Sequence, residues 1–201
     1  MQAQNGSGKT ICFLLGSLSY IDEAVPAPQV LIVVHTRELA LQIADVCSKL
    51  CSFTNIKCTC ALKGVPFNPA AQVIIGSTDA IKRAIMSKQY VWDYVVSLVI
   101  DEADHILDDR HFAADIKSMA DLIKTRRLPC QILLFSATFN DRVIQFARRL
   151  VPGAIEIRKA TTDLCLQTVH MVNDGDRCEC SIRFLRAGLK RSALLLTRST
   201  S

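Results

Sequence analysis

Gln29-Val30-Leu31-Ile32-Val33-Val34 is a nearly continuous run of branched apolar side chains, with nothing polar between Val30 and Val34. A strand of this kind is buried on both faces, which confines it to a sheet with helices packed on each side. Immediately afterwards Leu39, Ile43, Val46 and Leu50 recur at helical spacing. The same alternation continues along the chain. Strands are predicted over Ile56–Leu62, Gln72–Gly76, Tyr94–Ile100, Gln131–Phe135 and Ala154–Arg158. Helices are predicted over Thr78–Met86, around Phe112, Ile116, Met119 and Ile123, and from a cap at Asn140 through Val143, Ala147 and Leu150. The expected fold is therefore α/β: a mostly parallel sheet covered on both faces, with ligands bound at the carboxyl ends of its strands.

Composition sets the limits of this reading. The chain has 201 residues, 50% hydrophobic and 21% charged, which suits one well-buried domain and part of another. The boundary is predicted near 158: residues 1–158 form the first unit. Residues 159–201 form a linker and an incomplete second unit, with strand-like Leu166–Val172 and Ala193–Thr197 around a helical Arg177–Leu189. A net charge of +5 permits a polyanionic partner without requiring one. The nine cysteines include no pair with the two-residue spacing of zinc ribbons, so reduced thiols in a cytoplasmic or nuclear compartment are expected. Neither a signal peptide nor an apolar run of membrane-spanning length is present, and no membrane association is expected.

Ala3-Gln4-Asn5-Gly6-Ser7-Gly8-Lys9-Thr10 leads into the apolar helix Ile11–Leu18. Glycines at 6 and 8 allow a tight turn that aims backbone N–H groups at phosphate oxygens, and the helix N-terminus adds partial positive charge. Lys9 can reach terminal phosphates, and the Thr10 hydroxyl can ligate Mg²⁺. Ala3 stands where the strict pattern has glycine, and the strand that normally precedes such a loop is expected to be missing, leaving its sheet neighbours unpaired. About 90 residues further on, the buried run Val95–Ile100 ends in Asp101-Glu102-Ala103-Asp104. A carboxylate at the tip of a buried strand can hold Mg²⁺, which assigns Asp101 to the metal. The next one, Glu102, can orient and deprotonate a water attacking a γ-phosphate. The plainer alternative is a solvated acidic loop that caps a helix.

Three further segments complete a set: His35-Thr36-Arg37-Glu38-Leu39-Ala40-Leu41-Gln42, Gly76-Ser77-Thr78-Asp79 and Ser136-Ala137-Thr138. In order and spacing, residues 3–158 resemble the first RecA-like domain of DEAD-box RNA helicases. The resemblance implies ATP and Mg²⁺ as cofactors, with Lys9, Asp101 and Glu102 catalytic and residues 3–10 on the nucleotide. It implies RNA as partner, held through its backbone by Thr36, Arg37, Gly64, Ser77 and Thr78. Asp104, Ser136 and Thr138 would couple nucleotide state to RNA binding. Leu194-Leu195-Leu196-Thr197-Arg198 looks like the strand that opens the family's second domain. Phe135–Phe139, Gln145-Phe146-Ala147 and Val151-Pro152 resemble the mRNA-export branch associated with nuclear pores.

The chain departs from the family pattern in three places. His35 replaces the usual proline and reads as a tolerated residue at a strand end, since no nucleophile pairs with it. Val65 replaces a second glycine. Ser77-Thr78-Asp79-Ala80 replaces Thr-Pro-Gly-Arg, exchanging a basic residue for a carboxylate; Lys82 and Arg83 could compensate. The family's adenine-reading segment and its second-domain arginines lie outside this sequence, so the chain alone is expected to bind nucleotide weakly and to unwind nothing. Two rival readings are a non-catalytic RNA- or protein-binding module derived from such a helicase, and a DNA-dependent motor. Asp104 and Ser136–Thr138 disfavour the motor.

Overall fold

The computed structural model describes residues 1, 8–64, 67–86, 91–108, 110–125 and 128–157. Its elements are α1 (Lys9–Leu18), β1 (Val30–Val34), α2 (Arg37–Leu50), β2 (Cys58–Ala61), β3 (Val73–Ser77), α3 (Thr78–Met86), β4 (Ser97–Ile100), α4 (Ala103–Asp108), α5 (Arg110–Lys124), β5 (Gln131–Leu134) and α6 (Asp141–Leu150). The five strands form one sheet in the order β2-β3-β1-β4-β5. Every pairing is parallel, with Ile32 opposite Ile75 on one side and Val99 on the other.

Parallel strands need crossover connections, and α2, α3 and the α4–α5 pair supply those from β1 to β2, β3 to β4 and β4 to β5 by packing back onto the faces of the sheet. β1 lies at the centre, and the alternation of its side chains divides the core in two. Leu31 and Val33 pack with Ile81, Ile106, Ile116 and Met119 beneath α3, α4 and α5. Val30, Ile32 and Val34 pack with Phe13, Leu14, Ile43 and Cys47 beneath α1 and α2. The partly buried Cys58 packs against this second layer. At Asn140 the predicted cap forms: its side-chain oxygen accepts from Val143 N at 3.0 Å.

Gly76 is required by close approach. A Cβ there would lie 2.9 Å from the backbone oxygen of Ala61 on β2. Gly76→Ala is therefore expected to destabilise the chain by about 1–3 kcal/mol, measured by urea unfolding, because strand backbone yields far less readily than a side-chain tip. An unchanged midpoint would contradict it.

Some predicted strands shrink. Tyr94–Val96 lie outside β4: Val95 N bonds Trp92 O at 3.2 Å in a turn, and Val96 N reaches Gln29 O at 2.8 Å just ahead of the ladder. Ile56 and Leu62 likewise flank β2. Ala154–Ile157 form no strand, and Arg158 lies outside the described residues. The reason is the sheet edge, since extended backbone becomes a strand only against a partner. Among the described residues β5 pairs with β4 alone, and its other edge is met by Met1. The Met1 amino group donates to Leu134 O at 2.6 Å, and Ser136 N donates to Met1 O at 3.2 Å. Beside this edge runs a groove of about 280 Å³, lined by Cys12, Phe139, Ala147, Val151 and Ile155 among others. The predicted second unit, residues 159–201, lies outside the described residues.

Candidate nucleotide and RNA site

The candidate residues that the structure describes collect where β1, β3 and β4 end and α1 begins. α1 starts at Lys9 because Gly8 precedes it at φ 84°, ψ 15°, a left-handed conformation that glycine adopts without strain. Gly8 has no side chain to cap the first turn, which leaves that turn's N–H groups suited to an anion. Lys9 is only 7% exposed, and Thr10 beside it is half-buried. Ala3, Gln4, Asn5, Gly6 and Ser7 lie outside the described residues.

Asp101 continues the β4 ladder, its N–H reaching Val33 O at 3.0 Å. The residue is 6% exposed. Burial pushes its pKa up to about 6. The Glu102 N–H, donating to Oδ1 at 3.0 Å, and the nearby Lys9 ammonium oppose that rise, while the Glu102 and Asp104 charges add to it. Lys9 and Asp101 thus feel each other across the site although 92 residues separate them in the chain. The carboxylate carries a desolvation cost that a cation would offset.

The chain turns sharply after Asp101. Glu102 sits at φ 52°, an uncommon conformation for a residue with a side chain. This bend starts α4, a short helix that the sequence pattern does not announce, and brings Asp104 against the segment after β5. Asp104 Oδ2 accepts from Thr138 N at 3.0 Å and from Thr138 Oγ1 at 2.8 Å. Asp104 N donates to Ser136 Oγ at 3.2 Å, and Ser136 Oγ donates to Thr138 O at 2.7 Å. Partial burial pushes the Asp104 pKa up, but the donors from Thr138 and Ser136 outweigh it and hold the carboxyl below its ordinary value. The three residues expected to act together are therefore one hydrogen-bonded unit.

A second group lies along the same sheet edge. Thr36 caps α2, its Oγ1 accepting from Leu39 N at 3.2 Å. Arg37 is exposed and donates to Lys63 O at 2.9 Å, beside Gly64 at φ 79°. Ser77 pairs in register with Val34 at the end of β1. Thr36, Arg37, Gly64 and Ser77 thus share one rim, whereas Thr78 is 2% exposed at the start of α3 and offers no free surface. Of the two basic residues expected to compensate for Asp79, Lys82 is ion-paired with Asp115 on α5, and Arg83 is exposed. Val65 lies outside the described residues.

His35 has a neighbour that its local sequence does not reveal: its Nδ1 lies 2.7 Å from Glu102 Oε2, and its ring stacks on His105 at 5.0 Å. The one signal in the sequence is its place at the end of one buried strand, as the acids stand at the end of another.

The arrangement matches known proteins. The family described as DEAD/DEAH box helicase matches residues 1–146. DEAD-box ATP-dependent RNA helicase 38 of Oryza sativa subsp. japonica is 37% identical over 177 residues, covering 84% of this chain and 35% of that protein. The ATP-dependent RNA helicase dbp5 of Schizosaccharomyces pombe is 35% identical over 174 residues, covering 85% of this chain and 34% of that protein. The chain therefore spans about a third of the length of these curated relatives. Among solved structures, S. cerevisiae Dbp5 bound to RNA and ADP BeF3 superposes with a TM-score of 0.69 at 30% identity, covering 78% of this chain and 41% of that one. The RecA-like fold expected from the sequence agrees with these relatives, and so the chain belongs to the DEAD/DEAH box helicase family.

Proposed function

We propose that this chain is the ATP- and Mg²⁺-binding RecA-like half of an ATP-dependent RNA helicase, with hydrolysis of ATP driving RNA strand separation or remodelling of RNA–protein complexes. The observation that carries this reading is the electrostatic meeting of Lys9 with Asp101, next to Glu102, at one edge of a parallel sheet. Residues 3–8 and the first turn of α1 would donate N–H groups to the phosphates, and Lys9 would neutralise the terminal ones. Thr10 and Asp101 would hold Mg²⁺, which, when bound, neutralises charge on the phosphate oxygens. The buried, destabilised carboxylate of Asp101 suits such a hard cation. Glu102 would orient the attacking water and accept its proton at a carboxylate oxygen.

Thr36, Arg37, Gly64 and Ser77 would contact the RNA backbone, which hydroxyls, amides and a guanidinium bind without reading sequence. The yeast relative solved with RNA and a nucleotide analogue supports this partner class. Asp104, Ser136 and Thr138 would relay nucleotide state to that rim. Residues 159–201 would begin the second RecA-like domain. A cytoplasmic or nuclear site fits an RNA substrate, and no helix among the described residues is long and apolar enough to cross a membrane.

Mg²⁺–ATP is expected to raise the Tm, and RNA to stimulate ATP turnover more than DNA does. Stronger stimulation by DNA would count against the reading. RNA binding without nucleotide binding would favour the alternative, a non-catalytic module derived from a helicase.

A further inference from the structure

Glu102 occupies a conformation that side chains rarely adopt, at φ 52°, so surrounding contacts have to hold it there. Two of them are backbone contacts: its N–H donates to Asp101 Oδ1 at 3.0 Å, and its carbonyl accepts from Ile106 N at 3.2 Å. The third engages the side chain. His35, which follows β1, places Nδ1 at 2.7 Å from Glu102 Oε2, with the two side chains 26% and 19% exposed. This ring nitrogen is buried, and the contact is a short N···O approach rather than an aligned hydrogen bond. A carboxylate has only acceptors, so an N···O contact this short is attractive only if Nδ1 carries a proton. His105, on α4 close to Glu102, adds a second constraint: its ring stacks 21° from parallel with that of His35 and restricts the ring's rotation. His35 is thus held by two residues of the same turn, and it engages one oxygen of Glu102, Oε2.

We propose that His35 is a positioning residue for Glu102, its Nδ1–H fixing the carboxylate in the orientation required to address the attacking water. The proline that the family usually carries at this place has no donor to do so. The inference rests on the reading of Glu102 as the base, and its test separates the two. In the first arm, long-range ¹⁵N–¹H correlation spectra of the histidine-labelled chain report which ring nitrogen of His35 is protonated. The expected result is Nδ1–H in the wild type and a shift toward the Nε2–H form in Glu102→Ala. An Nε2–H ring in the wild type, unmoved by Glu102→Ala, would overturn the proposal.

In the second arm, RNA-stimulated ATP turnover is measured. His35→Ala is expected to lower kcat about tenfold with KM for ATP unchanged, the scale on which a misplaced group slows an oriented reaction. His35→Asn, whose amide N–H takes the place of Nδ1–H, is expected to restore most of it. A KM effect with kcat intact, or no recovery with Asn in a variant of wild-type Tm, would also overturn it. If the wild type turns over no ATP yet His35 shows Nδ1–H responsive to Glu102, the catalytic reading fails and the pairing stands.

Discussion

Asp101→Asn is expected to make the nucleotide-free chain more stable while removing its response to Mg²⁺–ATP. Burial raises the Asp101 pKa from 3.8 to about 6, so the folded state binds more protons than the unfolded state between those values. For a carboxyl whose pKa is raised by folding, the favourable contribution is complete below pH 3.8 and is lost as pH rises through about 6. A rise of this size corresponds to about 3 kcal/mol. Asn retains an oxygen for the Glu102 N–H but buries an NH₂ group that needs partners of its own, which offsets part of the gain. The expected net stabilisation is about 1–2 kcal/mol at pH 7.5, shrinking toward zero at pH 4. Urea unfolding of both proteins across this range measures it. A constant difference would mean that Asp101 does not titrate as argued. In the same variant Mg²⁺–ATP should no longer raise the Tm, because the metal would lose the anion at the strand tip. A Tm response equal to the wild type's would remove Asp101 from the metal site.

The second large effect concerns the uneven sheet. Ile32, in the central strand, is fully buried and sits between paired neighbours on both sides. Ile32→Ala is expected to cost about 3–4 kcal/mol, through lost burial and the cavity that stiff surrounding strands cannot close. Leu133 on β5 is only partly buried and borders the groove. Leu133→Ala is expected to cost about 1–2 kcal/mol, because less apolar surface is removed from water there. Denaturant midpoints for the two variants decide the matter. Equal costs would mean that the groove beside β5 is covered in solution.

His35 illustrates how a local reading of sequence falls short. As one letter in a strand-end motif it has no partner within reach along the chain, and a tolerated substitution is the reasonable expectation. Its partner, Glu102, lies 67 residues away and meets it only because β1 and β4 pair in parallel and end together. Thr78 shows the converse case. Its place in a motif suggests contact with RNA, but α3 starts with that residue buried. Lys82 likewise looks free along the chain until α5 supplies Asp115.

What the sequence determined by itself was set by period and local chemistry. The unbroken Val30–Val34 run required a strand buried on both faces, Asn140 carried its own helix cap, and Gly8-Lys9-Thr10 and Asp101-Glu102 had residue types suited to phosphate and metal. These are interactions within a few residues, which propensity and spacing encode directly. The tertiary structure alone decided strand order, the absence of a strand at Ala154–Ile157, the left-handed bend at Glu102, the raised pKa of Asp101 and the His35–Glu102 pair. Each depends on what lies across the sheet, and burial, charge and close approach exist only once distant segments have been brought together.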